Sequence, residues 1–163
     1  MAQESQNVPV TSLAMDLGDL LRPAYGADQC PETQLRSLSP LALAYVGDAV
    51  FELFVRSRLL WPPQQVRTFH RQVVSHVRAE QQAQYLECLQ PHLSTAEKDI
   101  LRRARNAASG RKVRSSLRDY RQATALEALL GYLYLTDAQR LIEVLSYLPI
   151  TPDAMPAGAS PPS

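Results

Sequence analysis

The sequence predicts an all-α protein. From residue 39 to residue 148, apolar side chains recur at three- and four-residue spacing. The segments that carry them open on capping residues and close on prolines. No stretch alternates apolar and polar residues as a half-buried strand would.

The elements follow in order. Residues 1–38 read as a partly flexible N-terminal extension of mixed Pro, Gly, Ser and acidic residues, with one short helical candidate around Leu13–Leu21 that Pro23 stops. Ser39-Pro40 is an N-cap followed by proline in the first turn. From there LALAYVGDAVFELFVRSRLL runs to Leu60, ahead of Pro62-Pro63. Val66, Phe69, Val73 and Val77 share one side of the next helix; a break is expected near Ser75, with a continuation through Ala79–Leu89 up to Pro91. Ser94-Thr95-Ala96-Glu97 is a capping box that opens EKDILRRARNAA. Gly110 lies in a loop of small and basic residues. A further helix starts near Arg118 and carries ATALEALLGYLYL, and Asp137 can cap a last helix that Pro149 ends. Residues 149–163, rich in Pro, Ser, Ala and Gly, read as a disordered tail. The helical domain is therefore expected over residues 39–148.

Composition narrows the class. The chain has 163 residues, 45% hydrophobic and 20% charged, enough for one domain with an apolar core and no disulfide staples. Cys30 and Cys88 stand far apart, without metal-ligand spacing, and read as free thiols in a reducing compartment. No apolar run is long enough for a membrane span. The N-terminal MAQESQNVPV lacks the basic start and apolar stretch of a secretory signal, so a cytoplasmic location is expected. The net charge of +1 says nothing about partners.

Two carboxylates look out of place. The helix from Leu41 is apolar nearly all round and is expected to be buried on most sides; Asp48 is its only charge before Glu52. Glu127 is likewise the only charge between Ala123 and Thr136. An unpaired buried carboxylate costs several kcal/mol or takes up a proton. A nearby Arg or a Tyr hydroxyl can satisfy one such acid. For two acids in two apolar helices a shared divalent cation is a common explanation, since hard oxygen ligands suit Mg²⁺. Each acid also stands near a helix-interior glycine, Gly47 beside Asp48 and Gly131 one turn after Glu127. Such a glycine costs about 1 kcal/mol against alanine and is tolerated where backbones approach closely or a site needs room. Glu52 lies one turn after Asp48 and either joins that site or pairs with Arg56 at the surface.

Charge clustering supplies the second signal. Arg102, Arg103, Arg105, Arg111, Lys112, Arg114, Arg118 and Arg121 are eight of the 17 Lys and Arg residues, against one acid, Asp119, over the same stretch. Asn106, Ser109, Ser115, Ser116 and Tyr120 add hydrogen-bonding groups. Such a segment is either a solvated basic loop or a grip on a phosphate backbone, with arginines able to bind phosphate bidentately. It leads straight into the Glu127 helix, and carboxylates beside a polyanion-binding loop point to phosphodiester chemistry. His70, His76 and His92 form no recognisable ligand set, and there is no P-loop, dinucleotide-binding glycine pattern or serine nucleophile elbow.

LALAYVGDAVFELFVRSRLL resembles the signature helix of the ribonuclease III family's catalytic domain, and TALEALLGYLYL resembles that family's second acidic helix. RNAASG followed by YRQATALEALLGYLYL is similar to the Mini-ribonuclease III branch, a catalytic domain without a separate double-stranded-RNA-binding domain. The resemblance covers roughly residues 38–148. It implies a homodimeric helical domain, with one acidic site per subunit cutting one strand of an RNA duplex. It also implies bound Mg²⁺, with Asp48 and Glu127 as metal ligands and catalytic residues. The candidate RNA-binding set, read from the charge cluster, is Arg105, Asn106, Ser109, Gly110, Arg111, Lys112, Arg114, Arg118, Tyr120 and Arg121, and Glu52 and Thr124 are candidate accessory positions. The expected substrate is structured precursor RNA, including large-subunit ribosomal RNA, and no membrane partner is expected. The chain departs from full-length members at Leu41, Ala44 and Thr124, where those enzymes carry further acids. That thinner set motivates a competing reading, a non-catalytic RNA-binding or ribosome-assembly protein. A helical DNA-binding regulator would want its basic residues on an exposed recognition helix, and here they lie largely in a loop.

Overall fold

A computed structural model describes residues 37–108 and 116–151. The helical candidate at Leu13–Leu21 and most of the Pro/Ser/Ala tail lie outside the described residues. Six α-helices are present among those described: α1 Pro40–Leu59, α2 Val66–Val77, α3 Ala79–Leu89, α4 Thr95–Ala107, α5 Leu117–Thr136 and α6 Ala138–Ser146. A short 3-10 turn, Gln90–His92, joins α3 to α4. No strand occurs among the described residues, so the all-α expectation holds.

The starts of the helices follow local chemistry. Ala42 N donates to Ser39 Oγ at 3.1 Å at the head of α1. Ser94 and Glu97 close the capping box in both directions, at 3.2 and 2.7 Å. Arg140 N donates to Asp137 Oδ1 at 2.9 Å at the head of α6. Ser116 caps α5 through Asp119 N at 3.0 Å. Each such cap satisfies amides that the first turn leaves without a helical partner. The break expected near Ser75 lies three residues later, at Arg78, whose ψ of 150° ends α2 and starts α3. Apolar spacing alone cannot place a break inside a continuous amphipathic pattern. Ile150 is 2% exposed within the core, so packing continues past Pro149, where the sequence pattern ends the domain.

Helix α5 is the axis of the domain, and α1, α3, α4 and α6 all pack against it. Its fully buried Ala125, Leu126, Ala128, Leu129 and Leu130 meet Phe51, Val55 and Leu59 of α1 and Leu86 and Leu89 of α3 within one core. Burial of each such large side chain contributes about 1.5–3 kcal/mol. Helix α1 differs from expectation. Its buried residues, Leu43, Ala44, Gly47, Phe51, Val55 and Leu59, form one stripe, while Leu41, Tyr45 and Leu53 are 46%, 83% and 51% exposed. Composition alone reads this helix as buried on most sides; in the fold only one face meets the core.

Glycine sets the closest helix contact. A β-carbon on Gly47 would stand 1.7 Å from the Glu127 carbonyl oxygen, and one on Gly131 would stand 2.0 Å from the Leu43 carbonyl oxygen. Helices α1 and α5 therefore cross backbone against backbone, and only residues without a side chain fit there. Among the described residues, α4 and α6 are tied by Glu97, which accepts from Arg140 at 2.8 and 3.0 Å, while Arg140 also donates to the His92 carbonyl at 2.7 Å.

Candidate active site

The glycine crossing brings the two out-of-place carboxylates to one cleft. Asp48 from α1 and Glu127 from α5 line it together with Ala44 and Tyr45, with Ala107 and Ala108 at the end of α4, and with Tyr120 and Thr124 of α5. The cleft is open to solvent and holds about 470 Å³. On α5, Tyr120, Thr124 and Glu127 recur at helical spacing on one face. That face looks across at Asp48 because Gly47 and Gly131 let the two backbones touch.

The environments of the two acids differ. Burial pushes the Glu127 carboxyl up to about 7; the nearby Asp48 charge adds to the shift, and a hydrogen bond from Gln82 works against it. Asp48 is exposed, and its carboxyl is raised too, first by partial desolvation and then by the charge of Glu52. Two carboxylates share one solvent-open cleft, one raising the proton affinity of the other, and a cation between them would relieve that repulsion. Mg²⁺ commonly takes one or two protein carboxylates and fills its octahedron with water and phosphate oxygens, so Asp48 and Glu127 fit it. No group of three or more His, Cys, Asp or Glu residues suited to a metal occurs among the described residues.

The remaining predicted residues divide. Thr124 is 4% exposed and lines the cleft, as does Tyr120. Glu52 pairs with Arg56 at 2.5 Å on the surface and does not line the cleft. Arg105 donates to Gln122 at 3.0 Å, and Asn106 is exposed on the last turn of α4. Arg118 pairs with Glu87 of α3 at 3.2 Å. Its helical position is about half a turn from Glu127 and about a third of a turn from Thr124, which puts it off the face that carries them. Arg121 is half-buried. Ser109, Gly110, Arg111, Lys112 and Arg114 lie outside the described residues. His76 contacts the Tyr85 hydroxyl, His92 stacks on Tyr147, and His70 is exposed on α2. Cys88 is an exposed free thiol. No helix among the described residues is long and apolar enough to cross a membrane.

Gln82 of α3 is the residue that sequence reasoning misses. It is 2% exposed and neighbours Glu127. The available signal is a polar residue in register with Leu86 and Leu89 on the apolar stripe of its helix.

Comparison with known proteins identifies the family of this fold. The family model described as ribonuclease III domain matches residues 41–138. A Mini-ribonuclease 3 of Synechocystis sp. is 55% identical over 75% of this chain and 85% of its own length. One from Thermosynechococcus vestitus is 50% identical over 82% of this chain and 85% of its own. A crystal structure of a protein from Fusobacterium nucleatum superposes with a TM-score of 0.62 at 30% identity, covering 69% of this chain and 92% of that one. The matched span contains α1 through α5 and both cleft acids, and the chain belongs to the ribonuclease III family, among the Mini-ribonuclease 3 endoribonucleases.

Proposed function

We propose that the protein is a Mg²⁺-dependent endoribonuclease that cuts double-stranded or structured precursor RNA, with Asp48 and Glu127 as its metal-binding and catalytic carboxylates. The observation that carries this reading is the pairing of those two acids across one open cleft, with the Glu127 carboxyl pushed up to about 7 beside Asp48. A bound Mg²⁺ supplies an activated water and charge stabilisation at phosphorus. Asp48, exposed at the open side, and Glu127, set deeper, would hold the cation between them, Glu127 in its deprotonated form.

Substrate grip falls to the basic segment around residues 105–121, where Arg105, Asn106, Ser109, Gly110, Arg111, Lys112, Arg114, Tyr120 and Arg121 supply cations and hydrogen-bonding groups. An A-form duplex is read chiefly by shape, phosphates and 2′-hydroxyls, so weak sequence preference is expected. The reading includes a homodimer. Its support is the outward apolar face of α1, where Leu41, Tyr45 and Leu53 stand exposed and a second subunit would cover them. Cytoplasmic maturation of large-subunit ribosomal RNA is the proposed setting.

The test is a gel assay of purified protein on a long duplex RNA, with Mg²⁺ against EDTA and wild type against Glu127→Gln. Discrete products only with wild type and Mg²⁺ are expected. Binding without products across several salts and metals would overturn the catalytic reading.

A further inference from the structure

Among the described residues the buried polar or charged side chains are Gln82, Glu97 and Thr124. Glu97 is explained by its capping box and by Arg140. Thr124 lines the cleft. Gln82 sits where an apolar side chain would pack without penalty, in line with Leu86 and Leu89, both fully buried. A buried amide atom without a partner costs about 1–3 kcal/mol, and Gln82 Oε1 has none. Such a group calls for a reason other than packing.

Its surroundings supply one. Gln82 Nε2 donates to the Val77 carbonyl at 2.9 Å. Val77 is the last residue of α2, so that carbonyl is one a helix end leaves without a helical partner. One N–H of the amide is thereby fastened to fixed backbone. The second N–H of the same nitrogen is not taken by Val77, and the amide lies close enough to the Glu127 carboxyl, across the α3–α5 contact, to lower its proton affinity. Glu127 needs such a hold. A glutamate has three rotatable side-chain bonds, and the negative charge of Asp48 drives its carboxylate away from the arrangement in which both acids face one cation. A donor on the protein side opposes that drift.

We propose that Gln82 is a positioning residue for Glu127: anchored on the Val77 carbonyl, its amide donates to one carboxyl oxygen of Glu127 and holds the other toward the cleft beside Asp48. This rests on the reading of Asp48 and Glu127 as a cation-binding pair. It adds α3, and the junction between α2 and α3, to the elements that build the site.

The experiment compares wild type with Gln82→Met, which keeps length and burial but has no N–H donor. A second variant, Gln82→Asn, keeps an amide on a stem too short to span Val77 and Glu127 together. Mn²⁺ binding to the purified full chain is measured by electron paramagnetic resonance. The kcat and KM on duplex RNA and the melting temperature are measured in parallel. Outer ligand-orienting partners change metal affinity by about 10–100-fold. Both variants are expected to bind Mn²⁺ about tenfold more weakly and to lose kcat to a similar degree, with KM for RNA unchanged. A folded Gln82→Met variant with wild-type Mn²⁺ affinity and kcat, even at a lower melting temperature, would reduce Gln82 to a structural role and overturn the proposal. So would loss of the folded state in both variants. Wild-type protein that neither binds Mn²⁺ nor cuts RNA would overturn the cation-pair reading itself, and this proposal with it.

Discussion

Gly47 of α1 lies against Glu127 of α5 so closely that a β-carbon on the glycine would sit 1.7 Å from the Glu127 carbonyl oxygen. The contact that packs the domain's two longest helices together is thus also the contact that sets Asp48 opposite Glu127. Stability and site geometry share one crossing.

Gly47→Ala and Gly131→Ala are expected to destabilise the protein by about 3 kcal/mol or more, at the upper end of overpacking effects. An exposed helix glycine replaced by alanine would instead gain about 1 kcal/mol. Urea denaturation reads the sign directly. Because the crossing must open to admit a methyl group, cleavage is expected to fall even where the variant stays folded.

The raised Glu127 pKa carries a pH signature. The unfolded carboxyl titrates near its ordinary value of 4.5 and the folded one at about 7. The folded state therefore holds the proton more tightly, and stability is highest below the lower value and declines as pH rises through the interval. Metal-free wild type is expected to be less stable at pH 8 than at pH 5, by up to about 3 kcal/mol from this group. Glu127→Gln should flatten most of that slope, and Mg²⁺ should restore stability to the wild type at pH 8. Urea titrations at the two pH values, with and without metal, test all three.

Asp48→Asn is expected to cut kcat at least about a hundredfold, since charge stabilisation by a bound metal is worth several kcal/mol. RNA affinity should hold or rise, because a negative charge leaves the cleft. Single-turnover cleavage together with filter binding separates the two effects. Equal losses in both would place Asp48 in substrate grip instead.

Glu97 accepts two bonds from Arg140, and these hold its carboxyl below the usual range. Arg140→Met leaves a buried acid without its cation and is expected to cost about 3 kcal/mol. A depressed pKa stabilises above the unfolded value, so this contribution is present at neutral pH and fades as pH falls through the folded value. Thermal melts of wild type and variant should converge in acid.

The basic residues are expected to differ in kind. Replacing Arg111, Lys112 or Arg114 by alanine should weaken duplex binding. Each phosphate that thereby goes unneutralised should lower the salt slope by about one. Arg118→Ala should leave that slope unchanged, because Arg118 pairs with Glu87 away from the cleft. Its stability effect should stay within about 1 kcal/mol, as for an exposed ion pair. Binding isotherms across a salt series distinguish the two groups.

Much of this is legible in the chain. Ser39, Ser94 with Glu97, and Asp137 announce three helix starts, because a cap joins residues three apart. Asp48 and Glu127 stand out because each is a lone charge in an apolar helix, and the glycines beside them mark a close approach. What local pattern does not give is what lies beyond each helix. Apolar composition reads α1 as buried on most sides, yet Tyr45 is 83% exposed. Arg118 falls within the basic cluster by sequence and on the far side of α5 by rotation. The break at Arg78 is a backbone turn inside one apolar stripe. Gln82 announces itself only as a polar residue in an apolar register.

Local pattern is enough for the helices, their caps and the identity of the two acids, since these depend on residues a few positions apart. That Asp48 stands at an open rim, that Glu127 sits deep enough to hold a proton near neutrality and that Gln82 neighbours it follow from packing between distant helices. Burial and proton affinity depend on which distant helix covers a side chain, and here a backbone contact between Gly47 and Glu127 decides it.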